Sequence, residues 1–289
     1  TLLVMDDPPS GNTLLEIERV MADKDFRALK LSRTKNVVVR TFWEDIAEKA
    51  GGEASLQNMV PYITSKFDIF LANEIMRPIV GQEKSAFNFR EVMDSGKILL
   101  VNLSKGRLGD INSHLLGLII VGKLLMAALS RGDMPEEERK DFYLYIDEFQ
   151  NVTTKSIATI LSEARKYRLD LIVAHQFIGQ LEDDIKKAIF GNVGSMVSFR
   201  IGADDAEFME QQFLPVFAAH DLMNIDNYNA YVRMLINGQT SRPFNIRTFP
   251  TPHGNRAVAE AVKELSSMKY GVPRDDVESQ ITARFGKKW

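Results

Sequence analysis

Residues 142–150 read Phe-Tyr-Leu-Tyr-Ile-Asp-Glu-Phe-Gln, an apolar run closed by the acidic pair Asp147-Glu148. A continuous apolar stretch of this length is what a strand covered on both faces requires. The texture recurs along the chain. Ile98–Leu103, Leu169–Ala174 and Ser195–Ile201 are further short apolar runs, and the segments Ile111–Arg131, Lys155–Tyr167, Glu182–Phe190 and Asp204–Gln212 have helical character. Alternation of this kind predicts an α/β fold with a parallel sheet and helices on both faces. Open parallel sheets gather their chemistry at the carboxyl ends of the strands, which is where Asp147 and Glu148 fall.

The flanks have a different rhythm. Residues 10–84 carry helical periodicity, opened by Thr13-Leu-Leu-Glu16 in the form of a capping box, with Leu14, Ile17, Val20 and Met21 on one face. Further helices are predicted over Val37–Ala50, Leu56–Lys66 and Ile69–Ile79, separated by Gly51-Gly52 and Gly81. After the sheet region, Tyr228–Ile236 and Arg242–Phe249 flank Asn237-Gly238, a dipeptide suited to a tight primed turn, and so predict an antiparallel hairpin on the sheet edge. Two polar helices, Arg256–Met268 and Asp275–Phe285, lead to a basic tail, Lys287-Lys288-Trp289. The expected domains are an all-helical module over 1–84, an α/β core over 85–252 and a helical tail over 253–289.

Composition narrows the function classes. With 36 basic against 39 acidic residues, any nucleic-acid surface is local rather than a property of the whole field. No cysteine is present, which excludes disulfides and thiolate metal sites, and the four histidines, His114, His175, His220 and His253, are scattered. The stretch Leu115–Leu129 is short for a bilayer span and is interrupted by Gly117, Gly122 and Lys123, so it predicts a buried core helix. The chain opens at Thr1 without an initiator methionine or a leader pattern, which predicts a natural N-terminus further upstream, with room for a membrane anchor there.

The acid pair suits a specific chemistry. At the end of a central strand, Asp147 is placed to hold magnesium through water, because that hard cation keeps its waters and uses few carboxylates. Glu148 is placed to orient and deprotonate a water attacking a phosphoryl group. P-loop NTPases arrange their carboxylates in this way, yet the phosphate-gripping loop Gly-x-x-x-x-Gly-Lys-Ser/Thr occurs nowhere in the 289 residues. One helix later, Leu169–Ala174 again ends in polar residues, His175-Gln176. Gln176 either senses a γ-phosphate or caps the helix that follows. Arg165 flanks the buried stripe Ile157, Ile160, Leu161 and Ala164, and is either a surface arginine paired with Glu163 or Asp170, or an arginine finger reaching into a neighbouring subunit's nucleotide. Ser104-Lys105-Gly106-Arg107-Leu108-Gly109 has the wrong order for a phosphate loop and reads as a strand-to-helix connection. The pairs Asp183-Asp184 and Asp204-Asp205 suit helix starts, and Lys186 and Lys187 read as solvated surface charge before they read as DNA contacts.

Taken together, residues 13–249 resemble the type IV secretion coupling ATPases, the TraG/TraD-like group in the HerA/FtsK branch of P-loop NTPases. The segments that carry the resemblance are Asp147-Glu-Phe-Gln-Asn151, Ile160 through Arg165 to Arg168, Val173-Ala-His-Gln176, and Phe213-Leu-Pro215 through Asp221-Leu222 to Tyr228-Asn-Ala-Tyr231. The resemblance implies a RecA-like core with an inserted all-helical domain, ATP and Mg2+ as cofactors, and a hexameric ring that threads DNA, single-stranded in this class. It implies Asp147 and Glu148 as the Walker B pair, with Asp147 holding the metal, Gln176 as sensor and Arg165 as the trans-acting arginine. Relaxase and secretion-channel proteins are the implied partners, at the cytoplasmic face of the inner membrane. The chain is then the C-terminal portion of an ATPase, inactive by itself without the P-loop. Other readings are a non-catalytic adaptor, a HerA-like motor in DNA-end processing, or an ATPase that secretes protein.

Overall fold

Two parallel strands, β1 (Phe142–Ile146) and β2 (Leu169–Val173), carry the centre of the α/β region, with Phe142 opposite Leu169 and Ile146 opposite Val173. The computed structural model describes residues 1–47, 52–153, 157 and 163–286. The chain divides into two compact units. One comprises Thr1–Phe87, Lys105–Asn112 and the chain from Arg256 on; the other comprises Asn88–Ser104 and Ser113–Asn255.

The unit that contains β1 and β2 is built on the helix Asp110–Ser130. That helix is longer than the apolar stretch Leu115–Leu129 and is apolar enough to cross a bilayer by length and composition, but Val121, Leu124, Leu125, Ala127 and Ala128 are buried in the protein core. They pack with Phe149, Val152, Ile157, Leu169, Leu181, Ile185 and Ile189. At the helix's end Arg131, fully buried, donates from Nε to Asp94 Oδ1 at 2.9 Å and from Nη1 to the carbonyls of Lys140 and Tyr167, both at 2.9 Å. Those carbonyls lie just before β1 and β2, so one guanidinium fixes where both strands begin.

Two predicted strands behave differently from the expectation. Ile98–Leu103 forms no ladder, and Ile98 and Leu100 are 88% and 83% exposed. Apolar content makes a run suitable for burial, but a strand also needs a neighbour's N–H and C=O, and among the described residues β1 and β2 pair only with each other. Within the predicted run Ser195–Ile201, strand β3 (Met196–Ser198) belongs to a second sheet, in which β4 (Asn229–Arg233) lies between it and β7 (Phe244–Arg247). Both pairings are antiparallel. The hairpin therefore captures β3 in its own sheet instead of adding to the edge of the parallel one. Its tip is a further antiparallel pair, β5 (Leu235–Ile236) and β6 (Gln239–Thr240), around Asn237 and Gly238 at φ +50° and +78°, the two positive values a primed turn demands. The helix Ala203–Phe213 covers this sheet, burying Ala206, Met209 and Phe213 with Met196 and Leu222, while Phe217 stacks on Tyr231 at 3.6 Å.

The other unit is helical. Half of the Thr13–Glu16 box forms: Glu16 Oε2 accepts from the Thr13 backbone N–H at 2.8 Å, but the Thr13 hydroxyl donates to that carboxylate at 2.5 Å instead of accepting from Glu16 N, and the helix runs Leu15–Ala22, burying Leu15, Ile17 and Val20. The predicted helix Val37–Ala50 is an α-helix over Val37–Thr41 followed by a π-turn over Phe42–Ala47; its last residues and Gly51 lie outside the described part. A single helix spans Gly52–Leu71, and Met76–Val80 follows. Lys30 is buried, with Nζ donating to the carbonyls of Val4 (3.0 Å), Asp7 (2.7 Å) and Gly11.

The helices of the expected C-terminal tail belong to this same unit. Arg284, on the helix Arg274–Gly286, donates from Nε to the buried Glu16 at 3.0 Å and from Nη2 to Gly81 O at 2.7 Å, and Arg77 bonds Glu278. The last helix is held in the N-terminal helical unit by these polar contacts, which join residues more than 200 positions apart, and by the buried Val277 and Ile281. The basic residues Lys287 and Lys288 lie outside the described part.

Candidate functional site

The pairing of β1 and β2 continues past the strands. Ala174 N donates to Ile146 O and Phe149 N donates to Ala174 O, each at 2.9 Å. These bonds keep the loops after the two strands in register, so the sequence positions that follow them emerge on one rim. Asp147 is exposed there, Glu148 half-buried, and Phe149, directly after, is fully buried in the core.

Glu148 has a left-handed backbone, φ +50° and ψ +47°. For a residue with a side chain this costs about 1–2 kcal/mol. The turn is stabilised by Glu148 N donating to Asp147 Oδ1 at 2.9 Å, and by Asn151 N donating to Glu148 O at 2.9 Å in the 3-10 segment Phe149–Val152. His114, from the helix Asp110–Ser130, contacts the Asn151 carbonyl through Nδ1. Because the left-handed residue redirects the chain, the side chain of Glu148 meets that of Gln176. Gln176 Nε2 donates to Glu148 Oε1 at 2.5 Å. The short turn after it, Ile178–Gln180, has no side-chain cap, so the amide of Gln176 is engaged with the glutamate and not with a helix end. A second amide reaches the same carboxylate, with Gln150 Nε2 donating to Glu148 Oε2 at 2.6 Å.

Asp147, Glu148 and Gln176 thus share one rim, and Arg165 does not join them. It is exposed in the 3-10 turn Ala164–Tyr167, immediately before β2 begins, at the opposite end of a five-residue strand. Such a strand spans about 17 Å. Arg165 bears on Asp170 instead. Burial pushes the Asp170 carboxyl up from the usual carboxylate range, Asp141 pushes the same way, and Arg165 and Arg168 oppose them. The predicted helix Lys155–Tyr167 and its stripe residues Ile160 and Leu161 fall largely outside the described residues, whereas Ile157 and Ala164 are buried as expected. Lys186 lies 3.7 Å from Asp183 in an ion pair, and the acid pairs at 183–184 and 204–205 stand in the first turns of their helices.

Among the described residues no group of three or more His, Asp or Glu side chains forms a metal site. What the rim offers a cation is the exposed Asp147 carboxylate, a hard oxygen donor of the kind magnesium takes singly while keeping most of its waters. The donor set therefore fits Mg2+ held mainly through water, and it does not supply a phosphate cradle.

Two features escaped the sequence reading. Gln150 gave no periodicity signal, since its contact with Glu148 depends on the left-handed turn. His175 is half-buried with Nδ1 unpartnered, and burial lowers its pKa below the ordinary value of 6.5 while the charge of Asp205 pulls the other way. Asp205 also holds the segment after Gln176, accepting from Ile178 N at 3.0 Å. Because the folded form keeps His175 neutral, the unfolded chain takes up a proton first as pH falls through 6.5, and stability is lost on that descent until the folded pKa is reached. Urea midpoints at pH 7.5 and 5.5 (about one unit either side of the free imidazole value) should drop more for the wild type than for His175→Gln. An equal drop in both would show that His175 does not contribute to the pH dependence.

Residues 141–212 match the family described as the TraM recognition site of TraD and TraG. No curated protein matches the sequence. Among solved structures, the bacterial conjugative coupling protein TrwB in an unbound form superposes with a TM-score of 0.60 at 16% identity, covering 88% of this chain and 63% of that one. TrwB in complex with ADP and Mg2+ gives 0.59 at 17% identity with the same coverage, and its complex with the non-hydrolysable analogue ADPNP gives 0.58 at 16%. The chain thus spans about 63% of the length of these structures. The expected α/β architecture with parallel strands, a helical part and a C-terminal hairpin is the one that this likeness in fold supports. By sequence over 141–212 and by fold over most of its length, the chain is similar to the TraG/TraD-like coupling proteins.

Proposed function

We propose, on the premise of that similarity, that this chain is the hydrolysis portion of an ATP-driven motor that moves single-stranded DNA in conjugative or type IV secretion transfer. The observation that carries the reading is the shared rim of Asp147, Glu148 and Gln176, with the amide of Gln176 hydrogen-bonded to the Glu148 carboxylate. The phosphate cradle comes from residues outside these 289.

In this reading Glu148 orients a water and accepts its proton as the water oxygen bonds to the γ-phosphorus. The bond from phosphorus to the bridging oxygen breaks, and ADP leaves with that electron pair. Asp147 holds the hydrated Mg2+, which when bound neutralises charge on the β- and γ-phosphate oxygens. In this reading the amide of Gln176 exchanges Glu148 for a γ-phosphate oxygen. Arg165, on the opposite rim of its own sheet, serves a neighbouring subunit's nucleotide in a hexameric ring, as a trans-acting arginine does. The exposed residues within segment 141–212 offer a surface to relaxosome proteins, in keeping with the family's description, and relaxase and channel proteins complete the partners. The working place is the cytoplasmic face of the inner membrane, reached through an anchor outside this chain.

A second reading, a non-catalytic adaptor, is favoured by one observation, the absence of a phosphate-binding loop from the sequence. Phosphate release by the full-length protein, with and without single-stranded DNA, separates the two. The motor reading expects turnover of about 1 s⁻¹ or more, of the order usual for enzymes of this kind, and a rate increased by DNA. A protein that neither binds nor hydrolyses ATP is the adaptor.

A further inference from the structure

We propose that Gln150 is a positioning residue for Glu148, a fixed clamp on one carboxylate oxygen beside the exchangeable contact made by Gln176. The inference rests on the reading of Glu148 as the group that activates water. Both oxygens of Glu148 accept from side-chain amides, Oε2 from Gln150 at 2.6 Å and Oε1 from Gln176 at 2.5 Å. A carboxylate at the end of three rotatable bonds needs at least two contacts to keep one orientation, and the two donors here are anchored very differently.

Gln150 is half-buried within the 3-10 segment Phe149–Val152, between the fully buried Phe149 and the buried Val152. Its backbone is held on both sides, by Phe149 N on Ala174 O and by Asn151 N on Glu148 O, each at 2.9 Å. The Oε1 atom of Gln150 is buried and has no partner. A flipped amide would set that oxygen against the Glu148 carboxylate, acceptor facing acceptor, so only the observed orientation gives a hydrogen bond. Gln176 is exposed, in an irregular stretch between β2 and the turn Ile178–Gln180. A phosphate oxygen arriving on the rim competes for its amide with a charge-assisted hydrogen bond of the same kind. When Gln176 turns to the phosphate, Glu148 Oε1 is freed for the water, and Gln150 keeps Oε2 in place. The asymmetry gives the base one permanent and one exchangeable contact.

The test is Gln150→Met, which keeps length and volume and removes the donor. In the full-length protein kcat should fall about tenfold to a hundredfold, the scale of a misplaced catalytic group, with KM unchanged to within roughly a factor of two because substrate binding is untouched. A kcat equal to wild type overturns the clamp. An independent readout needs no activity: the side-chain amide protons of Gln150 in the NMR spectrum should lose their hydrogen-bonded shift in Glu148→Ala, and an unmoved resonance overturns the clamp even if Gln150→Met fails to fold. Glu148→Gln is the control that separates the two levels. If it still hydrolyses ATP, the reading of Glu148 falls; if it is inactive while Gln150→Met turns over normally, only the clamp falls.

Discussion

Glu148→Gln is expected to abolish ATP turnover in the full-length protein while leaving nucleotide affinity in place. The substitution keeps the side-chain length and the hydrogen-bonding plane, and it removes the only function that an amide cannot perform, acceptance of a proton from water. Loss of a general base lowers rates by about 10²–10⁴-fold. The geometry adds a second effect. Glu148 accepts from two amides, at 2.5 and 2.6 Å, and a glutamine in its place has a single acceptor atom. With both neighbouring amides donating as they do now, one contact would face donor against donor, so Gln150 or Gln176 must turn its own amide oxygen inward and the arrangement that holds the side chain is altered. Binding is spared because neither the Asp147 carboxylate nor the phosphate cradle depends on the charge of residue 148. Steady-state phosphate release and equilibrium binding of a fluorescent nucleotide measure the two quantities separately. Turnover within a factor of a few of wild type would take Glu148 out of its role, and loss of binding would move that role from chemistry to affinity.

The parts of this molecule that could be read from the sequence are those whose physics is local. β1 and β2 are runs whose apolar composition marks them as strands, though the cover expected on both faces is not met: Tyr143 and Tyr145 on one face of β1 are 56% and 72% exposed. Asn237-Gly238 specifies its turn through backbone freedom alone, and Thr13 with Glu16 specifies a helix start within one turn. The rim of Asp147 and Gln176 was legible for the same reason, because strand direction and strand length fix where a run's last residues emerge. What could not be read depends on a partner. Ile98–Leu103 has the pattern of a buried strand and no ladder to join, and β3 could be seen as a strand but not as the neighbour of β4. The tail's attachment includes an ion pair between Arg284 and Glu16 beside the buried Val277 and Ile281, and a helix polar along most of its length announces no partner 268 residues away. Gln150 is the instructive case at the site. Its contact requires Glu148 to be left-handed, a conformation that sequence suggests for glycine or asparagine and not for glutamate.

The same turn depends on an anchor, and truncating it should have the largest effect on stability. Phe149→Ala is expected to cost about 3–5 kcal/mol, the range for emptying a phenylalanine site in a packed core. Phe149 is 0% exposed among the apolar side chains of the helix Asp110–Ser130, Val152 and Leu169, which also hold one another, so collapse into the space is limited and a cavity term adds to the lost transfer free energy. Phe249→Ala is the matched control. That ring is 93% exposed, and its removal should shift stability by no more than about 0.5 kcal/mol. Urea unfolding of the 289-residue chain, followed by far-UV circular dichroism, compares the two directly. Equal midpoints would mean that Phe149 does not tie the rim to the core. A large difference carries a consequence for the site, because Phe149 lies between Glu148 and Gln150 and its N–H holds the Ala174 carbonyl at 2.9 Å. Emptying the pocket then loosens the residue proposed to activate water and the residue proposed to clamp it, so kcat in Phe149→Ala should fall even at temperatures where the variant remains folded.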